Sequence, residues 1–265
     1  MLKPKFDAKL KEDKLILKQI TRLADSHCHL DLIGKDGIAE ALRHNVAFML
    51  TNGTTMESND KNLSFLDNVH VFVNMGIDPQ NAINLNDAHL GALISNIKIN
   101  AARITGIGEI GLDNTYGEES MNRQRVVFDT LVDLSIKMQK PISVHARGTL
   151  DEVIDILHNK GHSRVHLHFF EGDIMQAKKA ERLGYMVSIP PLDSARRRRV
   201  IKEIAIDNIL VESDSPAASK SPQEVISALM MISEVKGISL DRASDIIFDN
   251  TRKFFSLSQK NIMMR

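Results

Sequence analysis

One cysteine, Cys28, stands in 265 residues, and tryptophan is absent. A disulfide framework is thereby excluded, as is a zinc site built from several thiolates, and the usage fits a reducing compartment. Net charge is missing too, because 34 basic residues balance 34 acidic ones. No global field is available to hold a polyanion, so affinity for nucleic acid or phosphate has to come from a local patch or a metal. No apolar run approaches the ~18 residues of a spanning helix. The first residues, among them Lys3, Lys5, Asp7, Lys9, Lys11, Glu12, Asp13 and Lys14, lack the apolar stretch of a signal peptide. No membrane role is expected, and the cytoplasm is the expected location. Internal repeats, low-complexity tracts and linkers rich in Pro, Gly or Ser are also lacking, and no obligatory protein partner is evident. What is present, 43% apolar and 26% charged residues, is a globular composition.

Residues 1–23 read as a polar N-terminal extension in which Leu10, Leu15, Leu17 and Ile20 trace a partial helical stripe. From Ala24 onward the chain alternates. Eight short segments rich in β-branched and other apolar residues lie at 24–30, 46–52, 69–77, 104–110, 141–146, 164–170, 186–190 and 208–214, each the length of a buried strand. The stretches between them carry helical periodicity, clearest at 119–139, where Met121, Phe128, Leu131, Val132, Leu134, Ser135 and Met138 form one stripe before Pro141. Another helix starts at Ser221, with Pro222 in its first turn and Glu224 three residues on, and stops at Gly237. Alternation of this kind implies a parallel sheet, and eight repeats imply a closed (β/α)₈ TIM barrel spanning 24–265 as one domain. An open doubly wound sheet is the alternative.

Ionisable residues gather where these segments end: His27 and His29 on the first, Glu109 on the fourth, His145 on the fifth, His168 on the sixth and Asp214 on the eighth. The carboxyl ends of barrel strands are where active sites lie, and residues two apart on a strand share a face. His27 and His29 therefore point together, leaving Cys28 to face the helices as a small buried hydrophobe. Imidazoles with carboxylates suit zinc, manganese, iron or nickel, and a bridging carboxylate permits two ions. Any one of the six alone would read as a core histidine or a capping carboxylate. Together, at successive strand ends, they read as a metal centre.

The blocks that hold these residues resemble the TatD family of metal-dependent deoxyribonucleases, within the amidohydrolase-like barrels. They are Asp25-Ser26-His27-Cys28-His29-Leu30-Asp31, Gly108-Glu109-Ile110-Gly111-Leu112-Asp113, Pro141-Ile142-Ser143-Val144-His145-Ala146-Arg147, His168-Phe169-Phe170-Glu171-Gly172 and Glu212-Ser213-Asp214-Ser215-Pro216. Gln124, Phe128 and the closing Asn250-Thr251-Arg252 match more weakly. The resemblance implies two divalent ions, zinc, manganese, magnesium or nickel. His27, His29, Glu109 and Asp214 would hold one and Glu109, His145 and His168 the other, with Glu109 bridging. It further implies hydrolysis of a phosphodiester, DNA or a smaller one, by an activated water whose proton Asp214 could take. Two blocks differ from the family pattern. Glu171 stands where Ser or Thr is usual, and Ala217, Ala218, Ser219 and Lys220 replace a basic loop after Pro216.

Further candidates surround the six. Asp25, His166 and Glu212 each precede a proposed ligand by two residues and would sit deeper on the same face, Asp25 and Glu212 as partners that hold imidazole rings from behind. For His166 an inner barrel layer is the stronger reading. Arg147, just past its strand, is placed to bind a substrate phosphate or carboxylate, or to form a surface ion pair. The run Arg196–Arg199 cannot form one stripe on a helix, so a solvated helix start outweighs phosphate contact there. Asp31 and Asp113 read as loop-ordering or substrate-binding residues, and His44, His70, His89, His158 and His162 receive no role. The readings are, in order, a metal-dependent phosphodiester hydrolase, a binuclear amidohydrolase or esterase for a small molecule, and a non-catalytic barrel that binds nucleic acid or protein.

Overall fold

A computed structural model describes residues 22–258. The eight apolar segments form β1 (Leu23–Cys28), β2 (Val46–Asn52), β3 (Val71–Met75), β4 (Gly106–Asp113), β5 (Ile142–Arg147), β6 (Val165–Leu167), β7 (Met186–Ile189) and β8 (Ile209–Val211). Each pairs in parallel with its sequence neighbour, in the order β1 to β8. The seam between β8 and β1 is made beyond the strand ends, where the Asp214 amide donates to the His27 carbonyl (2.9 Å) and the His29 amide to the Ser215 carbonyl (2.8 Å). Asp25, which pairs with the outward-facing Met49, reinforces that seam. Its carboxylate accepts the Ser213 amide (2.9 Å), the Ser213 hydroxyl and the His27 amide (3.2 Å). The result is a nearly closed TIM barrel.

The helices α1 (Leu30–Arg43), α2 (Met56–Leu63), α3 (Pro79–Ala82), α4 (Asp87–Ile99), α5 (Glu118–Met138), α6 (Leu150–Asn159), α7 (Ile174–Arg182), α8 (Ala195–Glu203), α9 (Val225–Lys236) and α10 (Leu240–Phe254) separate the strands or close the chain. In α5, Glu118 and Glu119 complement the positive helix start, and Gln139 ends it in a left-handed conformation. Its buried face includes Met121, Phe128, Leu131, Val132 and Ser135, as the stripe predicts. The Ser221 helix is a short 3₁₀ turn over Pro222–Glu224 followed by α9, which stops at Gly237. Among the described residues no helix is long and apolar enough to cross a membrane.

Two apolar layers follow from the alternation of side chains along the strands. Cys28, Met49, Val73, Ile107, Val144, Leu167 and Val211 face outward onto the helices. Ala24, Phe48, Leu50 and Leu210 form a second cluster with Phe248, Phe255 and Leu257, so the end of α10 and the residues after it stopper the barrel. Cys28 is fully buried, with its Sγ 3.4 Å from the Leu50 carbonyl, as its place in the strand implies.

Three expectations need correction. β6 and β8 are three residues long, so His168, Glu212 and Asp214 lie on the segments after those strands and not on the ladder. Asp214 has φ 45, so the face-sharing rule does not carry from Glu212 to Asp214. His29 likewise lies past β1, as the N-cap residue of α1. The first strand begins at Leu23, inside the segment read as an extension, and residues 1–21 of that segment lie outside the described residues.

Gly111 shows how tightly β4 and β5 approach beneath the site. It has φ 153, and a Cβ there would sit 1.9 Å from the His145 carbonyl oxygen. Gly111→Ala is expected to destabilise the protein by about 3 kcal/mol or more, through backbone strain and a backbone clash. A denaturant midpoint equal to that of the parent protein would refute this.

Candidate metal centre

The parallel order of the strands brings the six residues to one end of the barrel. Glu109 on β4 is the centre, 5% exposed, and its two oxygens face different imidazoles. Oε1 lies 3.1 Å from His145 Nδ1 and 3.1 Å from His168 Nε2. Oε2 lies 3.3 Å from His27 Nε2 and 3.5 Å from His29 Nε2. Asp214 Oδ1 closes the second group at 3.2 Å from His29 Nε2 and 3.9 Å from His27 Nε2. The His27 and His168 rings stack at 3.9 Å. His27, His29 and Asp214, and equally His27, Glu109 and His168, offer ligand atoms that all lie within 4.8 Å of one another.

Hydrogen bonds behind the rings decide which nitrogen faces inward. His29 Nδ1 is 3.2 Å from the Asn52 carbonyl, an acceptor only, so in the neutral ring Nδ1 keeps the proton and Nε2 is the nitrogen left for the centre. His145 Nε2 is 3.1 Å from Asp113 Oδ2, which leaves Nδ1 for the centre. His27 Nδ1 meets Ser143 Oγ at 2.9 Å, while His27 Nε2 is buried with no hydrogen-bond partner. A buried nitrogen aimed without a partner at two carboxylates is what a divalent cation would satisfy.

The same contacts set the charges. Burial opposes a charge on His29 and His145, yet Asp214 and Glu109 raise His29 to about 9, and Asp113 and Glu109 raise His145 to about 10. His27 goes the other way, pushed down to about 4 by burial and the neighbouring His168. Despite its own burial Glu109 is held well below the usual carboxylate range by His168, His145 and His27. Asp214, also against burial, is lowered by His29, His27 and His168.

The surrounding candidates divide. Asp113 both caps the 3₁₀ turn at Asn114–Tyr116, accepting the Thr115 amide at 2.8 Å, and orients His145; its contact with an imidazole was not foreseen. The Gly-Leu-Asp that follows Glu109 was the available signal. Asp25, expected behind an imidazole, instead binds backbone and Ser213, because the seam has amides there and no ring. Glu212 accepts the Phe169 amide and the Ser188 hydroxyl, and its nearest imidazole contacts are at 3.8 Å to His166 and 3.9 Å to His168. Arg147 is exposed and lines a cavity of about 460 Å³ with His29, Glu109, His145, His168 and Asp214 on its floor.

Glu171 lies on the wall of that cavity, and Arg196 donates to its carbonyl at 2.9 Å. Arg197 is buried and donates to the Leu192 carbonyl, and Arg198 pairs with Asp193 and Glu234. The four arginines thus diverge, as helical geometry requires.

A family model described as TatD related DNase matches residues 24–256. The chain belongs to this family. It is a TatD-family metal-dependent hydrolase. It is 28% identical over 262 residues to the deoxyribonuclease TATDN3 of Homo sapiens, covering 88% of this chain and 94% of that one. An uncharacterized metal-dependent hydrolase of Methanocaldococcus jannaschii is 26% identical over 246 residues, covering 88% and 97% respectively. The crystal structure of the TatD homologue YjjV from Escherichia coli K12 superposes with a TM-score of 0.82 at 23% identity, over 90% of this chain and 99% of that one. This TatD barrel therefore has the fold of that homologue.

Asp113→Asn removes a charge from behind His145 and should lower the titration midpoint of that imidazole from about 10 by roughly one pH unit or more. An NMR titration of the metal-free protein in which the midpoint stays put would refute the pairing.

Proposed function

We propose that this chain hydrolyses phosphodiesters, DNA first among them, with two divalent ions at the Glu109 centre. We also propose that one domain over 24–265 does so in the cytoplasm. The observation that carries the reading is the division of Glu109 between two imidazole pairs, Oε2 toward His27 and His29, and Oε1 toward His145 and His168. That division supports one ion among His27, His29, Glu109 and Asp214 and another among Glu109, His145 and His168. Zinc, manganese, magnesium or nickel ions bound there would supply a water of lowered pKa and neutralise charge on the phosphoryl group and the leaving oxygen. The family name and the human relative's printed activity support DNA as the substrate.

The protein's own groups have distinct tasks in this reading. Asp214, kept ionised by its imidazoles against burial, accepts the proton of the attacking water. Arg147, exposed at the cavity rim, grips a substrate phosphate through its planar fork. Glu171 would repel a phosphate, and Arg196 and Arg197 beside it offset that charge. A small-molecule amide or ester is the second reading, favoured by the Glu171 carboxylate on the cavity wall.

The test is cleavage of single-stranded and double-stranded DNA, alongside an amide and ester panel, with Mn²⁺, Zn²⁺ or Mg²⁺ and after chelation. DNA degradation from an end, lost on chelation, is expected. Glu109→Gln should cost more activity than any single histidine loss, because it removes charge from both groups. Arg147→Ala should chiefly raise KM. Intact DNA beside a cleaved amide or ester would replace this reading with the second, and inertness toward both panels with ions bound would favour a binding role.

Proton release supplies an independent check. His29 and His145, at about 9 and about 10, are protonated at neutral pH and must lose a proton each to act as ligands. Ion binding near pH 7 should therefore release about two protons, and affinity should climb as the pH rises toward 9. Calorimetry in buffers of different ionisation enthalpy measures this, and zero release would contradict the ligand set.

A further inference from the structure

Beneath the six residues lies a line of fully buried polar groups on adjacent strands: Ser143 on β5, His166 on β6, Ser188 on β7, and Glu212 just past β8. His27 Nδ1 is 2.9 Å from Ser143 Oγ, and Ser143 Oγ is 3.2 Å from His166 Nδ1. His166 Nε2 is 2.7 Å from Ser188 Oγ, and Ser188 Oγ is 2.7 Å from Glu212 Oε2. The other Glu212 oxygen accepts the Phe169 amide. Below, the rings of Phe254 and Phe255 stand 6.2 and 6.0 Å from the His166 ring, centroid to centroid. This contact line runs across four strands and ends on a ring of the metal centre.

We propose that His166 is a positioning residue: with Ser143, Ser188 and Glu212 it forms a one-way hydrogen-bond chain that holds the His27 proton on Nδ1 and so presents Nε2 to the ion. The proposal rests on the metal reading above. Each group has one available proton, so fixing the proton at one end fixes the direction of the whole chain. A neutral His27 that ligates through Nε2 carries its proton on Nδ1 and donates it to Ser143 Oγ. Ser143 then spends its own proton on His166 Nδ1. With Nδ1 accepting from Ser143, His166 gives its own proton from Nε2 to Ser188 Oγ. Ser188 Oγ donates in turn to Glu212 Oε2, and Glu212 Oε1 accepts the Phe169 amide, so the chain ends there. Reversed at any link, the chain would put a proton on His27 Nε2 and remove the lone pair from the centre. His29 needs no such chain, because a backbone carbonyl fixes its tautomer directly.

The first measurement uses the unaltered, full-length protein loaded with zinc and labelled at histidine nitrogen. Long-range ¹⁵N–¹H correlation should show His27 and His29 protonated on Nδ1 and His166 on Nε2. A His166 protonated on Nδ1, or a His27 protonated on Nε2, overturns the proposal without any variant. The second measurement is zinc affinity by chelator competition. Ser188→Ala, three hydrogen bonds from His27 and touching none of the six residues, should weaken zinc binding about 10-fold. Ser188→Thr, which keeps the hydroxyl, should return to within about 2-fold of the parent. A filler role for Ser188 would leave zinc affinity unmoved, and parental affinity in both Ser188→Ala and Ser143→Ala overturns the chain while the metal reading stands. Failure of the parent protein itself to bind zinc, manganese, magnesium or nickel overturns both.

Discussion

A buried carboxylate surrounded by imidazoles is the constraint on which the working end of this barrel depends. Glu109 would be costly to keep ionised in such a place by itself, since an unpaired buried charge loses several kcal/mol of solvation. Four imidazoles on two sides compensate it, two from the end of β1, one from β5 and one from the segment after β6. Their arrival in one place requires every strand from β1 to β6 to hold its register. Gly111, two residues after Glu109, lets β4 pass close to β5 without lifting His145 away. Backbone conformation and electrostatics are therefore set by the same few residues.

From one end to the other the barrel interior changes character in three steps. Phe48, Leu50, Leu210 and the α10 stopper make an apolar base whose stability comes from burial. Above it, Ser143, His166, Ser188 and Glu212 form a polar layer in which each group has a hydrogen-bond partner. On top sit the ionisable side chains and the open cavity. Such grading lets the base supply stability while the top carries charges that would weaken a small fold lacking that support.

Much of this architecture was legible in the order of residues. Apolar segments at regular spacing identified the barrel, and ionisable residues at their ends marked six side chains that the structure brings together, because both signals depend on local pattern. Shorter features escaped for physical reasons. β6 and β8 keep only three ladder residues each, and the apolar stretch in sequence does not show where pairing stops. Asp113 read as a loop residue since its contact with His145 crosses to the neighbouring strand. Asp25 was expected on the His27 face, but a register shift between Asp25 and Cys28 pairs it with the outward-facing Met49 and breaks the two-residue alternation. Ser143 and Ser188 look like ordinary strand positions, and only the lateral alignment of four strands turns them into neighbours of His166.

The seam has a consequence in time. His27 and His29 lie near the start of the described chain and Asp214 near its end, joined across the seam by the Asp25–Ser213 and Asp214–His27 contacts. During synthesis the first two imidazoles emerge some 185 residues before Asp214, the later of their two carboxylate partners, a distance set by positions 29 and 214. A nascent chain therefore carries a half-built centre that cannot close, and completion coincides with the last strand docking against the first. Since contacts of such long sequence separation are slow to form, closure of the barrel and completion of its centre depend on the same pairing.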